Sequence, residues 1–162
     1  MTSSSTITVR PVSANDLPVL RDKQRIEGLV DEHFTDAETG DSLFFAAFDG
    51  EEPLGTAVLD LRPVTYQPQL RNMWVYPSAR RRGAGRALST FADNAARERG
   101  FTEVFLAVDP NNEKAIPLYV SLHYAPIGEH IFIEDPDAFQ VSEPSMASDY
   151  YAVYRKSLLE RS

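Results

Sequence analysis

Four arginines and a Gly-x-Gly pair lie together at residues 80–86. Apolar residues after Gly83 recur at spacings of three and four as far as Gly100, which predicts a helix over 84–99. The first N–H groups of a helix have no partner within it, and the positive end of the helix dipole lies there. Glycine lets an anion approach the main chain, and arginine supplies forked donors that match phosphate. The pattern predicts anion binding, with a polyphosphate as the simplest ligand.

The charge distribution supports this prediction. Residues 71–99 carry seven arginines against Asp93 and Glu98, a local charge of +5, while the whole chain carries −8, so the remainder carries −13. A basic island in an acidic protein calls for an anionic ligand. The net negative charge of the remaining residues argues against general nucleic-acid binding, which needs a broad basic face.

Two common phosphate loops do not fit this stretch. A P-loop requires a lysine after its second glycine, and residues 80–88 contain none. A dinucleotide-binding fingerprint requires GxGxxG or GxGxxA directly after a strand. Here Leu88 occupies the third position, and seven residues separate Val75 from Gly83.

The stretch does resemble the pyrophosphate loop of the GNAT family of N-acetyltransferases. That motif is Arg or Gln, two residues, Gly, one residue, then Gly or Ala, after a strand ending in Val-x-Pro. Residues 80–85 match every position, and Val75 and Pro77 match the lead-in. The family has a second characteristic stretch, Asn-x-x-Ala-x-x-Leu-Tyr followed by Gly-Phe, and this chain matches its first part downstream. His123-Tyr124 replaces Gly-Phe, so a tighter or rebuilt turn is expected there. The matching residues of the second stretch are Asn112, Ala115, Leu118 and Tyr119.

The resemblance implies acetyl-CoA as co-substrate and assigns roles to these residues. Main-chain groups at Trp74 and Val75 would pair with the pantetheine arm, and Asn112 would lie near the thioester. Tyr119 would protonate the leaving thiolate, which suits a phenol because its pKa of about 10 keeps it protonated at neutral pH. The pyrophosphate would be held by Arg80, Arg81, Arg82, Gly83, Ala84, Gly85 and Arg86.

The general base is not identified by the motifs. Many family members carry a glutamate aligned with Gln69 or Arg71, and neither is a carboxylate here. The alternatives are Asp60, His130, Asp109 and a water relay.

The implied reaction is direct transfer of an acetyl group to a primary amine of a small molecule or peptide. An acyl-cysteine intermediate is excluded because the chain has no cysteine. Acidic residues over 31–41 and 129–149 indicate a cationic acceptor, or else solvated loops. The alternative functions are a non-catalytic acyl-CoA sensor of the same fold and, less consistent with the sequence, a dinucleotide-binding protein.

Length and composition fit one globular domain over residues 6–158. The pattern predicts a helical region from Ser13 to about Phe34, a loop over 35–41, a hairpin turn at Asp49-Gly50, and a strand–helix–strand unit followed by a second helix. Strands are predicted over 7–12, 42–48, 54–61, 70–76, 103–108, 124–133 and 149–158, with a long loop over 134–148. Residues 103–108 are apolar on both faces, which predicts a central strand. The expected fold is α/β, a mixed, twisted sheet of about seven strands with helices on both faces.

Other features narrow the class of protein. The three histidines form no HxH or HExxH pattern, so we expect no metal site. No apolar run is long enough to span a bilayer. We expect a cytoplasmic protein, because the N-terminus lacks a secretory signal and cysteine is absent. A homodimer formed through the last strands is compatible with the resemblance.

Overall fold

The computed structural model describes residues 6–109, 112, 114–132 and 150–159. Seven strands form one sheet in the order β1-β2-β3-β4-β5-β7-β6. Strands β4 and β5 run parallel, and the other neighbouring strands are antiparallel. The predicted mixed sheet is therefore confirmed. In chain order the strands are β1 (Ile7–Pro11), β2 (Ser42–Asp49), β3 (Glu52–Asp60), β4 (Gln69–Val75), β5 (Glu103–Val108), β6 (Ala125–Phe132) and β7 (Tyr150–Ser157).

Helices cover both faces of this sheet. Helices α1 (Leu17–Arg21) and α2 (Leu29–Glu38) pack on one face, and α3 (Ala84–Glu98) and α4 (Ala115–Ser121) pack on the other. Side chains of a strand alternate between faces, so β2 sends Phe45 towards α3 and Phe44 towards α1 and α2. The larger core is the one under α3.

The first helical region differs from the prediction. A 3₁₀ turn over Ala14–Asp16 leads into α1, the chain then leaves the helix, and α2 begins only after Gly28. Gly28 has φ +85°, a left-handed conformation that interrupts a right-handed helix. Helix α2 then extends to Glu38, inside the predicted loop, and the chain turns at Gly40, which has φ +86°. The acidic composition suggested a loop, but glutamate is a good helix former and the helix buries Leu29 and Val30.

Strand β5 is central, as its two-sided apolar sequence predicts. It lies between β4 and β7, with Val104 and Leu106 in the core under α3. Phe105 and Ala107 face the other way and are also buried. The tight turn between β2 and β3 is confirmed at Gly50, which has φ +64°. The predicted long loop over 134–148 lies outside the described residues.

Strands β4 and β5 separate soon after they meet. Within these two fully described strands, the only register pair joins Gln69 to Phe105. Asn72 has φ +53°, and the β3–β4 register shifts opposite it, between Thr56 and Val58. This β-bulge bends β4 and increases its twist. The end of β4 is thereby left to line a cavity rather than to pair with β5.

Glycine at position 55 makes the bend possible. A Cβ there would lie 2.5 Å from the carbonyl oxygen of Trp74 on the neighbouring strand, a distance that no real Cβ adopts. Strand β3 can therefore approach the end of β4 this closely only with glycine at that point. In the part of the chain that the structure describes, no helix combines the length and apolarity needed to cross a membrane.

Candidate active site

A cavity of about 430 Å³ lies between the end of β4, the beginning of α3 and the inner side of α4. It brings together both motifs that the sequence singles out, although they are separated along the chain by β5 and most of α3. Of the predicted site residues, all except Arg82 line it. The full lining is Met73, Trp74, Val75, Arg80, Arg81, Gly83, Ala84, Gly85, Arg86, Asn112, Lys114, Ala115, Leu118, Tyr119 and Leu122.

The beginning of α3 is shaped by two left-handed residues. Arg81 has φ +68°, and Gly83, which precedes the first helical residue, has φ +91°. The N–H of Ala87 donates to the carbonyl of Gly83 at 3.0 Å. The N–H groups that precede it in the first turn have no acceptor within the helix, and they lie at the positive end of a 15-residue helix dipole.

Gly85 keeps the cavity open where α3 faces β4 and α4. A Cβ at this position would lie 3.8 Å from the side chains of Val75 and Leu118, which is ordinary contact. Alanine therefore fits, and a larger side chain would enter the cavity. This agrees with a motif that accepts glycine or alanine here.

The cavity is strongly positive. Its described lining includes Arg80, Arg81, Arg86 and Lys114 and contains no carboxylate. The Arg80 guanidinium lies 5.3 Å from the centre of the Trp74 ring, and its Nε–H donates to the carbonyl of Val75 at 3.4 Å. A concave site with one sign of charge attracts anions and raises their local concentration.

Arg82 is turned away from this cavity. Its Nη2 lies 2.5 Å from Asp49 Oδ2, and its Nη1 lies 3.3 Å from Glu52 Oε1. Both acids belong to the β2–β3 hairpin, so Arg82 ties that hairpin to the loop before α3. The arginine run is therefore divided between ligand-facing and structural side chains.

Tyr119 lies at the other end of the cavity, on α4. The helix is approached through Asn112, whose Oδ1 accepts a hydrogen bond from the N–H of Ala115 at 3.2 Å. Tyr119 is only 8% exposed, and burial raises the pKa of its phenol to about 12. Its ring packs edge-on against Tyr124, with centroids 6.4 Å apart. The phenol is thus protonated at any physiological pH.

The turn after α4 accommodates histidine where the family motif has glycine. His123 has φ +78°, the left-handed conformation that glycine favours. The turn is thus made with a non-glycine residue in a glycine-like conformation. Tyr124 follows it and is buried, as the aromatic residue of the motif would be.

None of the three side chains considered as general base lines the cavity. Asp60 is 2% exposed on the face of α1 and α2, where its carboxylate contacts Arg62 at 2.9 Å and Arg71 at 3.0 Å. Burial alone would raise the pKa of Asp60, but the hydrogen bonds from Arg62 and the charge of Arg71 outweigh it and hold the pKa below its usual value. A carboxylate held in this way is a poor proton acceptor. Asp109 is buried after β5, and His130 is exposed on β6.

A half-buried histidine on the far side of β4 was not singled out by the sequence patterns. His33 of α2 lies 3.3 Å from the side-chain nitrogen of Asn72, the bulge residue, and 5.3 Å from the Phe44 ring. Burial lowers the pKa of His33 to about 4, so its imidazole is neutral at physiological pH. Nothing in the local sequence indicates this contact, because it joins residues 39 positions apart.

Five lining residues were also not predicted to belong to the site. They are Met73, Lys114, Ala115, Leu118 and Leu122. Ala115 and Leu122 lie at spacings of four and three from Tyr119, so the helical period could have placed these two there. Among the described residues, no group of three or more histidines and acids is arranged to hold a metal ion.

Comparison with known proteins agrees with the resemblance in the motifs. The model of the acetyltransferase (GNAT) family matches residues 14–124, more than half of the chain. No curated protein matches the sequence.

Solved structures share the whole fold at low sequence identity. Ribosomal-protein-S18-alanine N-acetyltransferase from Escherichia coli is 19% identical, with a TM-score of 0.70 over 97% of each chain. Spermidine/spermine N-acetyltransferase SpeG from Vibrio cholerae is 15% identical, with a TM-score of 0.68 over 96% of this chain and 94% of that one. A GNAT family acetyltransferase from Elizabethkingia anophelis with acetyl-CoA bound is 16% identical, with a TM-score of 0.67 over 93% and 97%.

These likenesses establish the fold, and the family match covers both the phosphate-loop motif and the tyrosine motif. The chain therefore belongs to the acetyltransferase (GNAT) family of enzymes.

Proposed function

We propose that this protein transfers the acetyl group of acetyl-CoA directly to a primary amine of a small molecule or peptide. The observation that carries the proposal is one continuous cavity that joins a cationic helix N-terminus to a buried tyrosine. A diphosphate suits the first end and a thioester suits the second. The relative with acetyl-CoA bound supports the donor half of the reaction, and the spermidine/spermine and ribosomal-protein-S18-alanine N-acetyltransferases support the amine half.

The coenzyme would be held mainly by the main chain. Its pyrophosphate would accept hydrogen bonds from the free N–H groups at the start of α3, with Arg80, Arg81 and Arg86 around it. The pantetheine arm would lie along the end of β4, at Trp74 and Val75, where β5 no longer pairs. Asn112 lines the same cavity between the two ends.

Tyr119 would act as the general acid. A neutral amine attacks the thioester carbonyl, a C–N bond forms, and the C–S bond breaks with its electron pair leaving on sulfur. The phenol then donates its proton to this thiolate and recovers one from solvent. Burial keeps the phenol protonated, so its proton is present when the thiolate forms, and holding both reactants in one cavity supplies much of the acceleration.

The most direct test is acetyl-CoA turnover with a panel of amines, measured as release of free thiol. We expect Tyr119→Phe to lower kcat by about 100-fold or more, with coenzyme affinity retained, because only the proton donor is removed. Tyr124→Phe is the matched control, since it makes the same change in the neighbouring ring, which packs edge-on against Tyr119. Full turnover by Tyr119→Phe would remove the acid role.

The group that accepts the proton released by the amine must be identified in a separate experiment. A pH profile of kcat/KM for Asp60→Asn and His130→Ala identifies a side-chain base if one variant loses the acidic limb. Because Asp60 is held by two arginines, we expect its variant to keep the wild-type profile. Retention of the limb in both variants favours release through water.

A cationic acceptor is the more specific form of the proposal. Helix α2 carries Asp31, Asp36 and Glu38, and the second acidic stretch lies mostly outside the described residues. Asp31 is paired with Arg21 at 2.7 Å, so part of this charge is already neutralised. The test compares a polyamine, a neutral amine and an amine bearing a carboxylate at equal concentration. Preference for either of the last two would exclude a cationic acceptor.

The sensor alternative makes the opposite prediction in the same assay. A sensor would bind acetyl-CoA and release no thiol with any amine. Binding measured by calorimetry beside the turnover assay therefore separates the two functions.

A further inference from the structure

A second concave surface lies beside the coenzyme cavity and has no part in the proposed reaction. It is a groove of about 850 Å³ between the outer side of α3, the end of α4 and strand β7. Its charged lining consists of Arg86, Asp93 and Arg97 from α3, and Arg155 and Lys156 from β7. It is larger than the coenzyme cavity.

The groove keeps an excess of positive charge after its internal pairing. Asp93 is the one carboxylate in the described lining, and Lys156 Nζ lies 2.6 Å from its Oδ2. Both side chains are about nine-tenths buried, so this pair is a fixed and nearly neutral part of the wall. Three arginines then remain without an equivalent partner inside the groove.

These three arginines keep their charge. Arg97 donates to Asn94 Oδ1 at 3.1 Å and to the carbonyl of Leu158 at 3.4 Å, both neutral acceptors. Arg155 lies 3.7 Å from Glu103, and both side chains are more than a third exposed, so this pair is a loose surface contact. The groove is therefore a local region of positive potential in a protein of net charge −8, and a concave region of this kind attracts anions.

The chemistry of the lining suits a phosphate group. Arginine presents two parallel N–H donors to phosphate oxygens, and hydroxyls add single donors. Ser89 and Thr90 of α3 and Ser157 of β7 supply hydroxyls along the same groove. A bare hydrophobic ligand would leave these groups without partners.

The groove adjoins the coenzyme cavity. Arg86 and Leu122 line both, so the wall between the two spaces is shared. We propose that this groove is a second phosphate-binding site, distinct from the N-terminus of α3, that takes a phosphate-bearing anion. The phosphate has two sources, the nucleotide end of coenzyme A or a separate phosphorylated ligand, and only the first rests on the proposed function.

The test uses the double variant Arg97→Gln/Arg155→Gln, which leaves the buried Asp93–Lys156 pair intact. Titration calorimetry compares coenzyme A, 3′-dephospho-coenzyme A and inorganic tripolyphosphate, the last added to protein saturated with coenzyme A. The control Arg21→Gln/Lys23→Gln removes the same charge on the opposite side of the sheet, and thermal melts confirm folding. If the double variant does not fold, Arg155→Gln alone carries the test at smaller amplitude.

Two results support the proposal and identify the source. If the wild type prefers coenzyme A over its dephospho form by about tenfold and the double variant does not, the groove holds the coenzyme's 3′-phosphate. If tripolyphosphate binds the coenzyme-loaded wild type and not the double variant, the groove takes a separate ligand.

The proposal is overturned if two results occur together. The first is that the double variant keeps the wild-type preference for coenzyme A over its dephospho form. The second is that tripolyphosphate does not bind the coenzyme-loaded wild type, or binds the coenzyme-loaded double variant equally well. An equal loss in the Arg21→Gln/Lys23→Gln control overturns it too, because the effect would then be one of net charge. Failure of the proposed function looks different, since it would appear as no release of free thiol with any amine in the turnover assay, whatever the result of these titrations.

Discussion

The two faces of β4 use similar residues for opposite purposes. On the face of α3 and α4, arginines line an open cavity of about 430 Å³ whose described lining has no carboxylate. On the face of α1 and α2, Arg62 and Arg71 are bound to buried Asp60, and the cavity beside His33 and Asn72 is about 20 Å³, the size of one water molecule. Arginines line an open cavity on one face, whereas the charges of Arg62 and Arg71 are neutralised by Asp60 on the other.

The difference shows what a ligand site requires beyond composition. An arginine is available for an anion only if the fold provides it with no carboxylate and leaves space beside it. The α3 face meets both conditions because β4 bends away from β5 at Asn72. The opposite face holds that bend in place through the contact of Asn72 with His33, so one face supports the geometry that the other uses.

The face of β4 towards α3 and α4, which carries the cavity, is called here the open face. Filling its cavity should have the largest effect on coenzyme binding. We expect Gly85→Phe to weaken coenzyme A binding by at least about 1,000-fold, or about 4 kcal/mol, because the ring would occupy the space between Val75 and Leu118. Gly85→Ala is the matched control, since its Cβ makes only ordinary contacts, and it should bind nearly as the wild type does. Calorimetric titration checks both. Tight binding by Gly85→Phe would mean that the coenzyme lies elsewhere.

The face of β4 towards α1 and α2, where Asp60 neutralises Arg62 and Arg71, is called here the neutralised face. Removing this pairing should lower stability and leave coenzyme binding unchanged. Asp60→Asn leaves Arg62 and Arg71 without their carboxylate, and we expect the free energy of unfolding to fall by about 3 kcal/mol. Asp31→Asn is the control, because it makes the same change in an exposed pair with Arg21 and should leave stability almost unchanged. Chemical denaturation measures both. A folded Asp60→Asn protein with lost turnover would instead make Asp60 catalytic.

The open face was the more predictable of the two. The glycines and arginines at 80–86 and the Asn–Tyr spacing are local patterns, and local patterns survive without knowledge of the fold. Which arginines face the ligand depends on partners far away in sequence, such as Asp49 and Glu52 for Arg82. The separation of β4 from β5 likewise depends on a left-handed asparagine and on Gly55 of another strand.

The neutralised face was almost invisible to sequence reasoning. The prediction of a helical region from Ser13 to about Phe34 did not place the break within it, where the left-handed conformation of Gly28 precedes α2. This break decides where α2 lies, and α2 in turn places His33 against Asn72. A burial-dependent pKa is a tertiary property that no spacing rule contains.

Protonation of His33 on the neutralised face provides a further test of the comparison. The pKa of His33 is about 4 in the folded protein, against about 6.5 for an ordinary histidine. The unfolded chain therefore binds the extra proton first, and stability falls as pH drops from about 6.5 towards 4, by about 2 kcal/mol. His33→Gln keeps an acceptor for Asn72 and cannot titrate, so its stability should depend less on pH.

The measurement is chemical denaturation between pH 7.5 and 4.5 for wild type, His33→Gln and His130→Gln. His130 is exposed on β6 and serves as the control, so its variant should follow the wild-type curve. Equal slopes for wild type and His33→Gln would show that burial of His33 does not govern the acid response of this face.

The smallest effect should distinguish two adjacent arginines. Arg81 lines the cavity, whereas Arg82 is bound to Asp49 and Glu52. We expect Arg81→Gln to weaken coenzyme A binding by about threefold to tenfold, and Arg82→Gln to change it by less than about twofold while lowering stability by about 1 kcal/mol. Titration and denaturation of both variants make the comparison. A larger loss of binding in Arg82→Gln than in Arg81→Gln would mean that Arg82 leaves the hairpin to reach the coenzyme. Pairing with an internal carboxylate would then not be enough to keep an arginine out of the site.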